Sequence, residues 1–205
     1  MNRTPLLQRD AEAPPREAHD SRRRIREGRL FGGLVLAAFP LYGIGSALAD
    51  RPIGLALVAA NSLAVTVVGI IGWRLVRSQE RAAGIGYLVA RIVEATLLAA
   101  GAAFVYFADE PDTGDTAYRL GMLALSVGSI PFFGALRRRG WLPAPLAVWG
   151  MVGYTTLAVG AVVDLMTGRE VIEIFSIPGG LFELAIGVIL LRRGFWALDE
   201  RSQTH

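Results

Sequence analysis

Apolar residues in this chain come in long blocks, not in strict alternation and not in narrow amphipathic stripes. Six uninterrupted runs stand out, at about 30–49, 53–76, 84–107, 118–136, 144–166 and 172–191, each bounded by charged residues, glycine or proline. A helix rises about 1.5 Å per residue, so each run reaches across the roughly 30 Å hydrocarbon core of a bilayer. A membrane-spanning strand would instead show about ten alternating residues, a pattern absent here. The blocks predict an all-α polytopic membrane protein, a six-transmembrane-helix bundle with short loops and no second domain. Residues 1–29 read as a flexible Arg-rich tail, 30–196 as the membrane domain and 197–205 as a short second tail. The acidic stretch Asp109-Glu110-Pro111-Asp112-Thr113-Gly114-Asp115 reads as a turn-rich loop before the fourth helix.

Composition agrees with the pattern. Over 205 residues, 53% are hydrophobic and the mean hydropathy is +0.43, too apolar for a soluble domain of this size. There is no cysteine, which removes disulfides, thiolate catalysis and cysteine-ligated metals together. The two histidines, His19 and His205, sit in the polar tails, so no helix offers a haem or zinc ligand. No cofactor and no metal are expected.

Charge sets the expected orientation. All 21 basic residues are arginine, a bias suggesting a GC-rich bacterial genome. Seventeen fall on one alternating set of segments: the N-terminal tail, the connection around Arg74, Arg77 and Arg81, the run Arg137-Arg138-Arg139, and the C-terminal end with Arg192, Arg193 and Arg201. The opposite set holds only Arg51, Arg119 and Arg169. By the positive-inside tendency both termini are cytoplasmic, and the location is the inner membrane of a bacterium. Trp73, Trp141 and Trp196 fall at the same interface, as an aromatic belt would place them. Arg22-Arg23-Arg24-Ile25-Arg26 adjoins the first run and is expected to meet anionic lipid head groups; that adjacency explains the charge without nucleic acid. Ala47-Leu48-Ala49 resembles a signal-peptidase site, but the polar stretch before the first run is far longer than a signal n-region, which favours an uncleaved helix.

Candidate chemistry concentrates in the third run, where Arg91 and Glu94 lie near mid-bilayer. Three residues apart, they share one helix face and can pair. A charge at that depth costs about 2.5 to 3.5 kcal/mol, so the face must turn towards protein or water. Counting residues from each expected helix start brings further polar groups to the same height: Tyr42, Asn61 with Ser62, Ser126 with Ser129, Tyr154 with Thr155, and Glu183. The candidate site is therefore Arg91, Glu94, Glu183, Asn61, Tyr154, Tyr42 and Ser129. One arginine faces two glutamates. Either a glutamate carries a proton or a cation completes the cluster.

Three functional readings follow. The cluster is a buried structural network fixing helix packing. Alternatively, it is a small-molecule, proton or cation binding or transport site. A third reading makes the two glutamates the acid and base of an intramembrane enzyme, although no metal motif and no activated serine accompany them. Pro178-Gly179-Gly180, one turn before Glu183, marks either a kink with close helix contact or a broken transporter-like helix. The 24 glycines suit close helix packing, and a homodimer would suit so small a bundle, though no stretch specifies one.

These residues carry a resemblance. Arg91-x-x-Glu94, the loop Arg139-Gly140-Trp141-Leu142-Pro143 leading into Leu146-Ala147-Val148-Trp149-Gly150, and the last run with Pro178, Glu183 and Arg193-Gly194 together resemble the domain-of-unknown-function 4386 family of small bacterial multi-helix membrane proteins. The resemblance covers roughly residues 30–196. It implies a multi-pass inner-membrane protein and draws attention to Arg91, Glu94 and Glu183, but carries no activity. The long Arg-rich segment before Leu30 departs from the family's compact start.

Overall fold

The fold was analysed in a computed structural model describing residues 15–195, with side chains from residue 22 onward. It consists of α1 (Pro15–Ala47), α2 (Pro52–Val76), α3 (Arg81–Ala108), α4 (Pro111–Arg138), α5 (Ala144–Thr167) and α6 (Ile172–Arg193). All six are long and apolar enough to cross a membrane: the chain is an all-helical multi-pass membrane protein. Residues 1–14 and the expected tail at 197–205, with Trp196, lie outside the described residues.

Two helices are much longer than the apolar runs suggest. Helix α1 begins at Pro15, not near Leu30, adding roughly four turns. From Arg16 to Glu27 the sequence is polar but contains no glycine or proline, and Arg23 Nε pairs with Glu27 Oε1 at 2.9 Å, one turn on. The arginines at 22–29 thus ride on a helix, and α1, at 33 residues, is about 50 Å long. Helix α4 begins at Pro111, inside the stretch expected to be a loop. Proline is favoured in the first turn because the missing N–H would have no helical partner there, and Asp112 in the same turn suits the positive helix end. Asp109, with φ of 56°, ends α3 in the left-handed region and turns the chain at once into α4.

Sequence neighbours pack as spatial neighbours throughout, and α6 returns to pack against α1, so the six helices close a ring. The helices alternate in direction, which gathers Arg22–Arg29, Arg74, Arg77, Arg81, Arg137–Arg139, Arg192 and Arg193 at one end. We call this the arginine end. There Glu80 bridges Arg138 at 3.2 Å and Arg139 at 3.5 Å, while Arg139 Nη2 donates to the Gln79 carbonyl at 3.1 Å. Hydrogen bonding and charge attraction from Arg138, reinforced by Arg139, hold the Glu80 carboxyl below its ordinary value.

Lipid tails are as apolar as leucine, so helix association in a bilayer relies on close van der Waals contact at small residues. Helices α5 and α6 meet at Gly153 and Gly179, where a Cβ on Gly153 would lie 2.8 Å from the Gly179 Cα. Helix α6 passes through Pro178 unbroken; of the two readings of Pro178-Gly179-Gly180, the close helix contact is the observed one. Trp149 Nε1 donates to the Pro178 carbonyl at 3.1 Å. Towards the arginine end, α1 and α6 press together at Gly28, Gly32, Gly187 and Gly194, and added Cβ atoms on Gly28 and Gly32 would strike the partner's backbone. Aromatic rings fill this half of the ring's centre: Tyr87 stacks on Phe132 with centroids 4.0 Å apart, and Phe133 lies between Tyr154 and Phe182.

At the other end Asp164, fully buried, ties α5 to the start of α6. Its Oδ1 accepts from the Val171 N–H at 2.8 Å and its Oδ2 from the Ile172 N–H at 3.2 Å. These are donors that a helix start leaves without intrahelical partners. Arg119 of α4 approaches the same carboxylate at 3.7 Å.

Candidate functional site

The buried face of α3 runs through Tyr87, Arg91, Glu94 and Leu98, the spacing that lines one side of a helix. On that face each of the three guanidinium nitrogens of Arg91 donates one hydrogen bond. Its Nε donates to Tyr87 Oη at 3.1 Å, Nη1 to Glu94 Oε2 at 2.9 Å, and Nη2 to Glu183 Oε1 at 3.3 Å. The guanidinium also lies 5.3 Å from the Tyr87 ring centroid, within reach of cation–π attraction. From α5, Tyr154 Oη donates to the same Glu183 oxygen at 2.5 Å. Three helices are thereby joined by one arginine, two carboxylates and two tyrosines.

The two glutamates differ in setting. The Glu94 side chain is 5% exposed and closed against Arg91, whereas that of Glu183 is 20% exposed. Both hydrogen bonds to Glu183 fall on Oε1, and this residue borders an open space. That space is a cavity of about 290 Å³ walled by all six helices, with Arg91, Glu94 and Glu183 on one side. Asn61 of α2 also lines it, 2% exposed, with its Oδ1 buried and unpartnered. A buried acceptor left without a donor costs roughly 1 to 3 kcal/mol, so the Asn61 carbonyl marks a place for a donor. Tyr42 of α1 and Tyr118 of α4 stack across the ring, 5.6 Å between centroids and 12° between planes, and border the cavity on the side away from the arginine end.

Of the seven residues of the expected candidate site, six come together. Arg91, Glu94, Glu183 and Tyr154 form one bonded cluster, and Asn61 and Tyr42 join it around the cavity. Ser129 is not among the residues lining the cavity; it is fully buried with an unpartnered hydroxyl. Its stripe on α4 includes the wall residues Tyr118, Met122 and Leu125, but Ser129 lies one turn further towards the arginine end. The height assigned from sequence assumed a helix start at 118; from the true start at Pro111 it is roughly 27 Å along α4. Ser126 donates to the Met122 carbonyl of its own helix and Thr155 to that of Met151. Tyr87 and Tyr118 were not singled out from sequence. Tyr87 carried a usable signal, one helical turn before Arg91.

Residues 111–194 match the family model described as a domain of unknown function, DUF4386. The match spans α4 to α6 and includes Arg139-Gly140-Trp141-Leu142-Pro143, Pro178, Glu183 and Arg193-Gly194. Arg91 and Glu94 lie outside it. No curated protein and no solved structure matches the chain.

Proposed function

We propose that this protein binds a cation in the cavity bounded by Arg91, Glu94, Glu183 and Asn61. The observation that carries this reading is an ionic cluster with an excess of acceptors beside open space. With its carboxylates ionised the cluster bears two negative charges against one positive, Arg91 is already committed to three partners, and Asn61 presents an unpartnered carbonyl oxygen. An uncompensated charge this deep in a membrane is costly. A positively charged group in the cavity balances the carboxylates and gives the Asn61 oxygen a partner, by an N–H donor from an ammonium or by coordination of a metal ion. We further propose that the arginine end faces the cytoplasm of a bacterial inner membrane, with Arg22–Arg29 of α1 against anionic head groups and any homodimer formed through the lipid-facing surface.

The three hydrogen bonds of Arg91 also favour a second reading, a structural network that only fixes helix packing. The two readings separate in a stability measurement. At fixed pH, the thermal midpoint of the purified protein in detergent is followed against sodium, potassium, ammonium and methylammonium chlorides at equal ionic strength. Cation binding predicts a saturable rise with at least one of them that Glu183→Gln abolishes. A midpoint indifferent to every cation, in a folded wild type, leaves the structural network.

A further inference from the structure

We infer that the ligand of this cavity is a long-chain primary ammonium, taken from the bilayer with its tail lying in the seam between α1 and α6. The inference rests on the cation-binding reading and adds the ligand's chemical class and its route. It begins from how α1 and α6 diverge. Near the arginine end they touch at glycines, but further along a Cβ on Gly43 would meet nothing within 4 Å, and one on Gly180 would meet only the edge of the Phe39 ring, at 3.9 Å. In that part of the ring α1 leans on α2, through Gly45 against Val58, and α6 on α5, through Phe175 against Gly160. The seam between them is left open.

The cavity meets this opening. Its walls on α2, α3 and α5 are buried throughout, and the exposed lining residues, Phe39 and Gly43, both belong to α1. The stacked pair Tyr42 and Tyr118 covers the side towards the aqueous end. Phe39 and Gly180 each lie eight residues inside the nearer helix end, roughly 12 Å, whereas half a hydrocarbon core is roughly 15 Å. The mouth therefore faces lipid tails rather than water.

The polar and apolar parts of the wall then define the ligand. Glu183, Glu94 and Asn61 offer acceptors, so the head group must carry N–H donors as well as positive charge; a quaternary ammonium would leave the Asn61 oxygen unpartnered. A space of about 290 Å³ holds roughly ten groups of water or methylene size at about 30 Å³ each. That accommodates a head and a few carbons, and the remaining tail passes Phe39 and Gly180 into the bilayer. An apolar tail gains nothing from an aqueous mouth but is at home in this one.

The absence of cysteine and the open seam make the test direct. Full-length protein in detergent is titrated with decylamine, decanol, decanoate, decyltrimethylammonium and methylammonium, reading the thermal midpoint. Decylamine should raise it saturably, decyltrimethylammonium should act at no less than tenfold higher concentration, and decanol and decanoate should have no saturable effect. Gly180→Trp fills the seam where only Phe39 is near, and Gly43→Trp fills it from α1 where nothing is near. Either variant should weaken decylamine at least tenfold while keeping the methylammonium response. Undiminished decylamine binding in both folded variants would overturn the seam as the tail's place, with the cation site intact. Equal potency of decanol would overturn the ammonium head group. No response to either amine in wild type would overturn the inference, and the cation-binding reading beneath it falls as well only if sodium, potassium and ammonium also leave the midpoint unchanged.

Discussion

Replacing Arg91 by leucine removes the one positive charge of the cluster while keeping most of the apolar stem that packs on Gly69 of α2. Three hydrogen bonds disappear, two of them to carboxylates. Bonds to charged groups are worth roughly 1.5 to 3 kcal/mol each, and breaking a buried ion pair by deleting one partner costs roughly 3 to 5 kcal/mol because the other is left uncompensated. We expect Arg91→Leu to lose about 3 to 5 kcal/mol in reversible unfolding by a denaturing detergent. The double variant Arg91→Leu with Glu94→Gln should recover part of that loss. It leaves Glu183 as the sole carboxylate, bonded to Tyr154 as before, and restores the net charge of the wild-type cluster. The interaction energy across the mutant cycle should fall in the range of roughly 0.5 to 3 kcal/mol expected of contacting residues. If the double variant is as unstable as the two single losses added together, Arg91 and Glu94 are not energetically paired, and the cluster is mis-drawn.

Other parts of the fold make their own predictions. Asp164→Ala leaves the Ile172 N–H unpartnered at the start of α6 and the Val171 N–H with only the Arg169 carbonyl, and should cost roughly 1 to 3 kcal/mol by the same unfolding measurement. Asp164→Asn, which keeps an acceptor, should cost less. Gly153→Leu drives a side chain into the Gly179 backbone and should destabilise by roughly 1 to 3 kcal/mol or more, whereas Gly43→Leu, with open space around it, should leave the unfolding midpoint unchanged. At the arginine end Glu80 has a folded-state carboxyl below its ordinary value of 4.5 because of Arg138 and Arg139. Its contribution to stability is therefore present above that value and is lost as pH falls through the lower folded one. A pH titration of the thermal midpoint should show Glu80→Gln flattening that acid limb, and high salt should shrink the difference.

How much of this was legible in the sequence depends on which physical signal each feature leaves. Helices α2, α5 and α6 were read to within about two residues because membrane hydropathy, Pro52 as the first residue of α2, Pro143 just before α5, and Gly168 after α5 all coincide with their ends. The polar first half of α1 and the first two turns of α4 leave no hydropathy signal, so a rule based on apolar runs cuts them off. At the site, Arg91 and Glu94 were legible because spacing on one helix fixes a shared face. Glu183, Tyr154, Asn61 and Tyr42 were found by height alone, which succeeds when the helix start is right and the residue also faces inward. Ser129 shows the failure, since a start misplaced by seven residues shifts height by roughly 10 Å. The cavity and the divergence of α1 from α6 were not legible at all; they depend on how Phe39, Gly43 and Gly180 face one another across two helices far apart in the chain.

The most direct test of the account is equilibrium dialysis of the purified protein against radiolabelled methylammonium at fixed pH, with Glu183→Gln and Asn61→Leu alongside. The account predicts a single saturable site in wild type, its loss in Glu183→Gln, and weaker binding in Asn61→Leu. Binding of equal strength in folded Glu183→Gln would contradict the site, and no saturable methylammonium binding in wild type would contradict an ammonium ligand there.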